Sequence, residues 1–218
     1  MSNKTLNNAT LELTQKIQMH FPRDIDPEIL RVWNGQSKEK ITAVAMEIFG
    51  RLPQKPSILE FIGTVKIPAT TEKFIAEDRF VIDRSDSAPV KIFYLGDNFK
   101  KWFLGKIEKP IEETILRCQK LRKSSVDDLI IAELGGKKKA ETTLTEMFSL
   151  MERQPNDEDG ILLTNGIFYI RDINGVLCAV GCGWDGGGWL VYASSVDASV
   201  RWFGGSQVFS RNPSESQS

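Results

Sequence analysis

The residue types that support most hydrolytic and metal chemistry are scarce in this sequence. His20 is the only histidine, and it falls in a predicted N-terminal helix, although serine and cysteine nucleophiles usually need a positioned imidazole base. Structural zinc sites usually draw four Cys or His ligands at short spacings, and the three cysteines, Cys118, Cys178 and Cys182, do not provide them. We therefore predict no catalytic residue, no metal ligand and no cofactor.

Two glycine-rich stretches could hold a phosphate. A P-loop needs a Lys followed by Ser or Thr between a strand and a helix, but GCGWDGGG (181–188) is followed by a predicted strand and no lysine. This stretch favours a hairpin loop. The second stretch, Gly135-Gly136, precedes three lysines that could bind an anion, and the alternative is an exposed turn with solvated side chains: Lys137, Lys138 and Lys139.

Carboxylates offer two further chemistries. The loop 156–160 is acidic enough for calcium, but Pro155 stands where an EF-hand has its first ligand and a strand follows, which favours a polar turn. Asp172, Asp185 and Asp197 lie at the ends of predicted strands, where a converging pair could act as general acid and base. Asp is also common at such positions because its side chain accepts hydrogen bonds from the backbone of a turn. A carboxylate-dependent hydrolase is therefore kept only as an alternative.

Aromatic residues at predicted hairpin ends form the best candidate binding site. Trp184 and Trp189 flank the Asp-Gly-Gly-Gly turn, and Trp202 and Phe203 precede Gly204-Gly205. On an open sheet face, such rings could bind a peptide, a sugar or a base. The alternative is that they cover the core at the end of a sheet. We predict partner binding by Trp184, Trp189 and Trp202.

Basic residues are concentrated in one stretch. From Lys100 to Lys139 there are eleven Lys/Arg against six Asp/Glu, a net charge of +5, whereas the whole chain carries a formal charge of −1. Lys100 and Lys101 precede Trp102 and Phe103, a mixture that single-stranded nucleic-acid surfaces also use. We predict anion binding by Lys100, Lys101, Lys137, Lys138 and Lys139. The alternative is that these lysines lie on ordinary solvent-exposed faces and bind nothing.

The elements that must position these residues begin with helices. Residues 1–50 show helical spacing, a start signal at Asp26-Pro27, a stop at Asn34-Gly35, and Ser37 as the cap of a further helix. Residues 51–57, with two prolines and no periodicity, predict a linker. The sequence therefore predicts a helical N-terminal segment before the main module.

From residue 58 the hydrophobic period is two, which predicts strands. The segment 112–123 fits a helix or a strand, with the strand favoured, and Thr143 with Glu146 forms a capping box at the start of a helix over 143–154. Phe99–Leu104 is expected to extend a hairpin. The other predicted strands in this part are Ile58–Ile67, Arg79–Arg84, Val90–Leu95 and Asp128–Leu134.

The C-terminal part predicts an antiparallel meander of four or five strands. Turn signals at Asn165-Gly166, Asn174-Gly175, 185–188 and Gly204-Gly205 separate alternating or apolar runs. Residues 58–213 should form one α+β module with a mainly antiparallel sheet and at least one packed helix. The tail 214–218 should be disordered.

Several stretches of the module resemble a group of uncharacterised bacterial proteins. The resemblance covers about residues 58–213, leaves the N-terminal helices outside, and implies no activity, because members of the group have no assigned function. It suggests that this region is one module joined to different N-terminal segments. The stretches are LGDNFKKWFLGK (95–106), LRKSS (121–125), IIAELGG (130–136), ETTLTEMFSLMERQ (141–154), DGILLTNG (159–166) and VFSRN (208–212).

The compartment and the function follow from what the sequence lacks. No secretory signal is expected, because the first fifteen residues contain no apolar segment, and the sequence contains no apolar run of about 20 residues. Cys178 and Cys182 on one strand would be about 13 Å apart, too far for a disulfide. We expect a reduced, cytoplasmic protein. The leading hypothesis is a non-enzymatic binding module with a protein partner and no membrane contact. The alternatives are the hydrolase and a nucleic-acid binder using residues 100–139.

Overall fold

The structure, a computed structural model, describes residues 28, 31–32, 35–49, 57–85, 87–153, 165–198 and 200–211. The chain divides into two compact units, Met1–Lys55 and Pro56–Ser218. In the first unit, helix α1 spans Lys38–Phe49, and the Lys40 amide donates to Ser37 Oγ at 3.4 Å, which confirms the predicted cap. The first predicted helix, with His20, lies outside the described residues.

The second unit is built on an eight-stranded sheet with the order β1-β5-β12-β8-β9-β10-β3, and β7 pairs with β8. Two short ladders, β2 with β4 and β6 with β11, stand apart from it. The strands are β1 (Leu59–Ile67), β2 (Phe74–Ile75), β3 (Ile92–Leu95), β4 (Ile107–Glu108), β5 (Thr114–Leu121), β6 (Ser125–Val126), β7 (Glu141–Thr142), β8 (Asn165–Arg171), β9 (Leu177–Trp184), β10 (Trp189–Ser195), β11 (Arg201–Trp202) and β12 (Gln207–Arg211).

The α+β class is confirmed, but the sheet is mixed rather than mainly antiparallel. Strands β8, β9 and β10 form an antiparallel meander, as predicted. The chain then leaves the sheet through β11 and returns as β12, which lies between β5 and β8 and runs parallel to β8. Strand β3 runs parallel to β10, and β7 runs parallel to β8. The meander therefore ends at β10.

Five helices of the second unit carry the remaining regular structure: α2 (Ala76–Arg79), α3 (Asp97–Phe103), α4 (Asp127–Glu133), α5 (Lys137–Ala140) and α6 (Leu144–Arg153). Two predicted strands are wrong at these places. The segment 128–134 is helical, and the predicted strand 79–84 begins in the last residue of α2 and continues as irregular chain, apart from an isolated bridge from Asp83 to Ile92. The hairpin extension at 99–104 is also wrong, because these residues lie in and just after α3. No helix of the described part is long and apolar enough to cross a membrane.

Helix α4 shows why the strand prediction failed. Ile130 and Ile131 are both buried while Leu129 is half exposed, which is the spacing of a helix rather than of an alternating strand. Gly135, at a φ of +92°, ends the helix, and the Gly136 amide donates to the Ile131 carbonyl at 2.8 Å. Glycines in this conformation are common helix stops, so the pair that seemed to end a strand ends a helix.

The sheet separates two hydrophobic clusters. One contains α3, α6 and the inner faces of most strands, with Phe168 stacked on Phe209 at 4.7 Å between ring centroids. The other contains α4, Ala140 of α5 and side chains of the opposite sheet face, including Tyr169 and Trp202. Because strands place alternate side chains on opposite faces, neighbouring residues of β8 enter different clusters.

Helix α6 begins with the predicted capping box. The Thr143 amide donates to the Glu146 carboxylate at 2.7 Å, and the Glu146 amide donates to Thr143 Oγ1 at 3.1 Å. A second carboxylate, Glu108 from β4, accepts hydrogen bonds from the amides of Leu144 and Thr145. These contacts satisfy amides that a helix start leaves without backbone partners, and they fix α6 against β4.

Candidate anion-binding surface

The three tryptophans predicted to bind a partner do not share a surface. Trp189 is fully buried in the cluster with α6, and Trp202 is 4% exposed in the cluster on the other sheet face. Trp184 is partly buried and contacts Trp189 edge to face at 5.5 Å. Trp189 and Trp202 are therefore core residues, which was the alternative interpretation. Partner binding stays a prediction for Trp184 alone.

The five predicted anion-binding lysines are exposed, but they form two separate groups. Lys100 and Lys101 lie in α3, whose buried Phe99 packs in the cluster with α6. Lys137, Lys138 and Lys139 lie in α5, whose Ala140 packs in the cluster on the other sheet face. The two groups therefore flank opposite faces of the sheet, and the +5 stretch is not one patch.

The strand-end carboxylates mostly organise turns. Asp172 accepts hydrogen bonds from the amides of Asn174 and Val176, each at 2.8 Å, and Asp185 accepts one from the Gly187 amide at 3.3 Å. Because Asp172 precedes β9 and Asp185 follows it, the length of this strand separates them by about 25 Å. These two carboxylates cannot act on one bond. Asp197 is exposed, and in the described residues no three His, Cys, Asp or Glu side chains are grouped as a metal site.

A different site forms where two loops, distant in sequence, meet. Strand β11 pairs with β6 through Arg201 with Val126 and Trp202 with Ser125. Just past this ladder, the Gly204 amide donates to Ser124 Oγ at 3.4 Å, and a Cβ on Gly204 would stand 3.2 Å from the Lys123 Cα. The lack of a side chain at Gly204 thus allows the loops 122–124 and 203–205 to touch.

These loops and the adjoining strand β11 carry basic residues and one aromatic ring, which we call the two-loop surface: Arg122, Lys123, Arg201 and Phe203. Phe203 is 75% exposed, and the three cations are exposed as well. None of the three forms an ion pair with a described carboxylate, although Asp128 and Asp197 are exposed nearby in the sequence. Three positive charges that no described carboxylate pairs with, close to an exposed ring, can attract an anion.

A buried carboxylate fixes the base of this surface. The Trp202 indole donates to Asp127 Oδ1 at 2.7 Å, and the Tyr169 hydroxyl donates to the same oxygen at 2.8 Å. Asp127 is 1% exposed, and its Oδ2 has no partner among the described residues. Because Trp202 is held inward, Phe203 at the next position points to the solvent side, as alternation along an extended chain requires.

Burial changes the pKa values of Asp127 and of its donor Tyr169. It raises the pKa of Asp127 above the ordinary value of 3.8, against the hydrogen bonds from Trp202 and Tyr169 and with a small further rise from the Asp128 charge. Burial and the neighbouring Asp127 also raise the pKa of Tyr169. Tyr169 therefore stays a hydroxyl donor at all physiological pH values, as the hydrogen bond needs.

Tyr192 packs on the Trp202 indole at 6.0 Å between ring centroids, with 24° between the planes. It reaches that position across Gly181, where a Cβ would come within 2.4 Å of the Tyr192 ring. Gly181 of the glycine-rich stretch therefore provides space for a ring beneath the two-loop surface. The stretch itself forms the predicted hairpin between β9 and β10, with Gly186 at a φ of +86°.

The three cysteines form no disulfide, and all three are buried. Burial raises the pKa of Cys118 to about 12 and that of Cys178 to about 11, with the charge of Asp172 adding to the rise at Cys178. A thiol is a nucleophile only as its thiolate. Neither of these two residues is therefore a reactive cysteine at neutral pH.

The two-loop surface could be found only partly from sequence. Trp202-Phe203 and the stretch LRKSS are both distinctive in the sequence, but nothing in the sequence connects them. Phe203 is 80 positions from Lys123, and the ladder that joins their loops has only two residues on each side. Nothing in a two-residue strand identifies its partner, so the surface is a product of the tertiary structure.

The fold and surface thus define a mixed α+β unit with a basic, aromatic contact region. No family model, curated protein or solved structure matches the chain.

Proposed function

We propose that this protein is a binding module that holds a polyanionic partner on the two-loop surface. The observation that carries the proposal is Phe203, 75% exposed, in two contacting segments that also carry three exposed cations with no ion pair to a described carboxylate. Binding a polyanion there would release its condensed counterions, which is a strong driving force at low salt.

Three other basic side chains of the second unit form ion pairs within the fold. Lys106 lies 2.8 Å from Glu108, Arg171 lies 3.0 Å from Glu141, and Arg211 lies 3.3 Å from Glu146. These pairs connect elements of the fold. Among the described residues, Arg122, Lys123 and Arg201 form no such pair and stay available to an anionic partner. Lys137, Lys138 and Lys139 form none either, which makes them a suitable comparison group.

Two triple variants test the proposal. In one, Arg122, Lys123 and Arg201 become Gln; in the control, Lys137, Lys138 and Lys139 become Gln. Each removes three positive charges and changes the formal net charge from −1 to −4 (−1 − 3 = −4), so any effect of total charge is the same. The readout is the salt concentration that elutes the protein from immobilised heparin, with thermal unfolding as the check on folding.

The wild type and the control variant should be retained on heparin, and the two-loop variant should pass through or elute at clearly lower salt. Equal loss in both variants would show a diffuse electrostatic effect. A larger loss in the Lys137–Lys139 variant would place the anion site on α5, as the sequence suggested, and would contradict the proposal.

A second candidate keeps the protein partner that the sequence favoured. Among the described strands, β1 pairs only with β5, and Phe61 and Ile62 on it are 54% and 47% exposed. Arg117 lies over the Phe61 ring at 5.0 Å. An edge strand with exposed apolar side chains can accept another strand.

The variant Ile62→Lys tests this second candidate. It should abolish capture of a protein partner in a pull-down while leaving heparin retention unchanged, because β1 is not part of the two-loop surface. Capture that survives Ile62→Lys would remove the support for β1 as the contact strand.

A further inference from the structure

We infer that the polyanion is a single-stranded nucleic acid, with one base stacked on Phe203 and the adjoining phosphates on Arg122, Lys123 and Arg201. This inference rests on the proposed function, because it names the chemical class of the partner that the same surface would hold. It goes beyond charge attraction, because a base makes use of the ring and a plain polyanion does not.

The exposure of Phe203 supports this choice. Phe203 is the most exposed of the large apolar side chains in the described residues, at 75%, so its ring face is open to a ligand. The preceding Trp202 is anchored by its hydrogen bond to Asp127 and by stacking with Tyr192, so the backbone that carries Phe203 is fixed. An open ring on a fixed backbone can stack with any base, since every base has a flat π face.

The positions of the cations fit a strand that passes over the ring. Arg201 lies two positions before Phe203, while Arg122 and Lys123 lie on the neighbouring loop. Positive charge is thus available on both sides of the Phe203 backbone. The phosphates on the 5′ and 3′ sides of a base stacked on Phe203 would then each have a cation available for contact.

An acidic peptide is a poorer match for the same surface. Peptide side chains usually gain affinity by filling pockets, whereas a ring as exposed as Phe203, at 75%, offers an open flat face. A duplex is also a poorer match, because its bases are already stacked and paired. The open ring is therefore best used by an unpaired base.

The experiment measures fluorescence anisotropy of two labelled oligomers with the full chain. One is oligothymidylate of about fifteen nucleotides, and the other is an abasic phosphodiester of the same length, which has the phosphates without the bases. Titrations use the wild type, Phe203→Leu, Phe203→Trp, and the two triple Gln variants, over a range of NaCl concentrations.

Oligothymidylate should bind the wild type more tightly than the abasic oligomer does. Phe203→Leu should weaken oligothymidylate binding by about fivefold or more while leaving abasic binding unchanged, and Phe203→Trp should preserve or improve it. Three phosphate contacts predict a slope of about −2 in a plot of the logarithm of the affinity against the logarithm of the NaCl concentration. The variant lacking Arg122, Lys123 and Arg201 should lose both oligomers.

Equal affinity for the two oligomers, with no effect of Phe203→Leu, would overturn the nucleic-acid inference. If the Arg122/Lys123/Arg201 variant still lost binding, the proposed anion surface would stand. If the wild type bound neither oligomer and also passed through heparin, both the inference and the proposed function would fail. Tighter, Phe203-dependent binding of polyglutamate would overturn the inference in favour of an acidic peptide.

Discussion

At the scale of single residues, Asp127 connects the interior to the candidate surface. One of its oxygens accepts hydrogen bonds from Trp202 and Tyr169, which approach from different parts of the chain. Trp202 in turn precedes the exposed Phe203. A single buried carboxylate therefore sets where the aromatic ring of the surface is presented, and its replacement should be felt in both stability and binding.

Replacing Asp127 by Ala should destabilise the protein by about 3 kcal/mol, because a buried phenol and a buried indole would lose their acceptor. Asp127→Asn should cost much less, since the amide oxygen can accept both hydrogen bonds. Urea unfolding at pH 7 measures both variants. Equal and small losses would show that the two donors find other partners and that Asp127 does not fix the loop.

A comparison of the wild type with Asp127→Asn should reveal the raised pKa of Asp127. The folded protein keeps the Asp127 proton at pH values where the unfolded chain, with a pKa near the ordinary 3.8, has lost it. The contribution of this group to stability is therefore complete below that value and is lost as the pH rises towards the native pKa. Asn does not titrate, so the unfolding free energy of the wild type minus that of Asp127→Asn should fall as the pH rises above about 4. A difference that grows with pH would contradict the raised pKa.

Gly181→Ala should disturb the packing beneath the surface, because the new Cβ would meet the Tyr192 ring at 2.4 Å. We expect a loss of about 1–3 kcal/mol, as in other overpacked cores. In a Tyr192→Ala background the same substitution should cost little. A double-mutant cycle by urea unfolding measures this coupling, and additive losses would show that the close contact is relieved in another way.

At the scale of elements, the sequence predicted a helix correctly where its capping residues are close together in the chain. It predicted the wrong element type where an apolar run fits both a helix and a strand. The capping box of Thr143 and Glu146 located α6, because both its hydrogen bonds are local. The apolar run before Gly135-Gly136 allowed a strand or a helix, and the acidic Asp127 and Asp128 at its start were the unused sign of a helix, since carboxylates stabilise a helix N-terminus.

The start of α6 also depends on a contact that no local pattern contains. Burial alone would raise the pKa of Glu108, but the charge of Lys106 and the hydrogen bonds from Lys106 and Thr145 outweigh it and hold the pKa below 4.5. Glu108 thus contributes stability as an ion above its unfolded pKa, and that contribution is lost as the pH falls through its native pKa.

Glu108→Gln should cost about 2 kcal/mol at pH 7, because it removes a charged acceptor from a helix start and from Lys106. The loss should shrink as the pH falls below about 4.5. Glu112→Gln, at an exposed position, is the matched control and should change stability little. Denaturant unfolding at several pH values checks this, and a loss that stays constant with pH would contradict the ionised state of Glu108.

At the scale of the whole molecule, the order of strands in the sheet places segments side by side that are far apart in the sequence. Strand β12 lies between β5 and β8, which are separated from each other by more than forty residues. Its return path passes through β11 and so places Phe203 beside Lys123. Pairings of this kind depend on the complete set of strands, and for this reason the hairpins of β8, β9 and β10 were predictable while the mixed sheet and the two-loop surface were not.

The same separation explains why a count of charge along the chain was misleading. The basic stretch 100–139 is divided between elements on opposite faces of the sheet, while Arg201, from the acidic C-terminal part, joins Arg122 and Lys123 at one place. A binding surface is defined by charges that are close in space and unpaired. Lys137, Lys138 and Lys139 also meet that criterion among the described residues, so the exposed ring of Phe203 is what favours the two-loop surface over that group.

The most direct test of the anion-binding surface is a map of backbone amide shifts by NMR during titration with oligothymidylate. We predict that the largest changes fall in residues 122–126 and 201–205, with the indole signal of Trp202 moving as well, and that they shrink at high salt. Changes concentrated at 100–101 or 137–139, or no saturable change anywhere, would contradict the assignment of the surface.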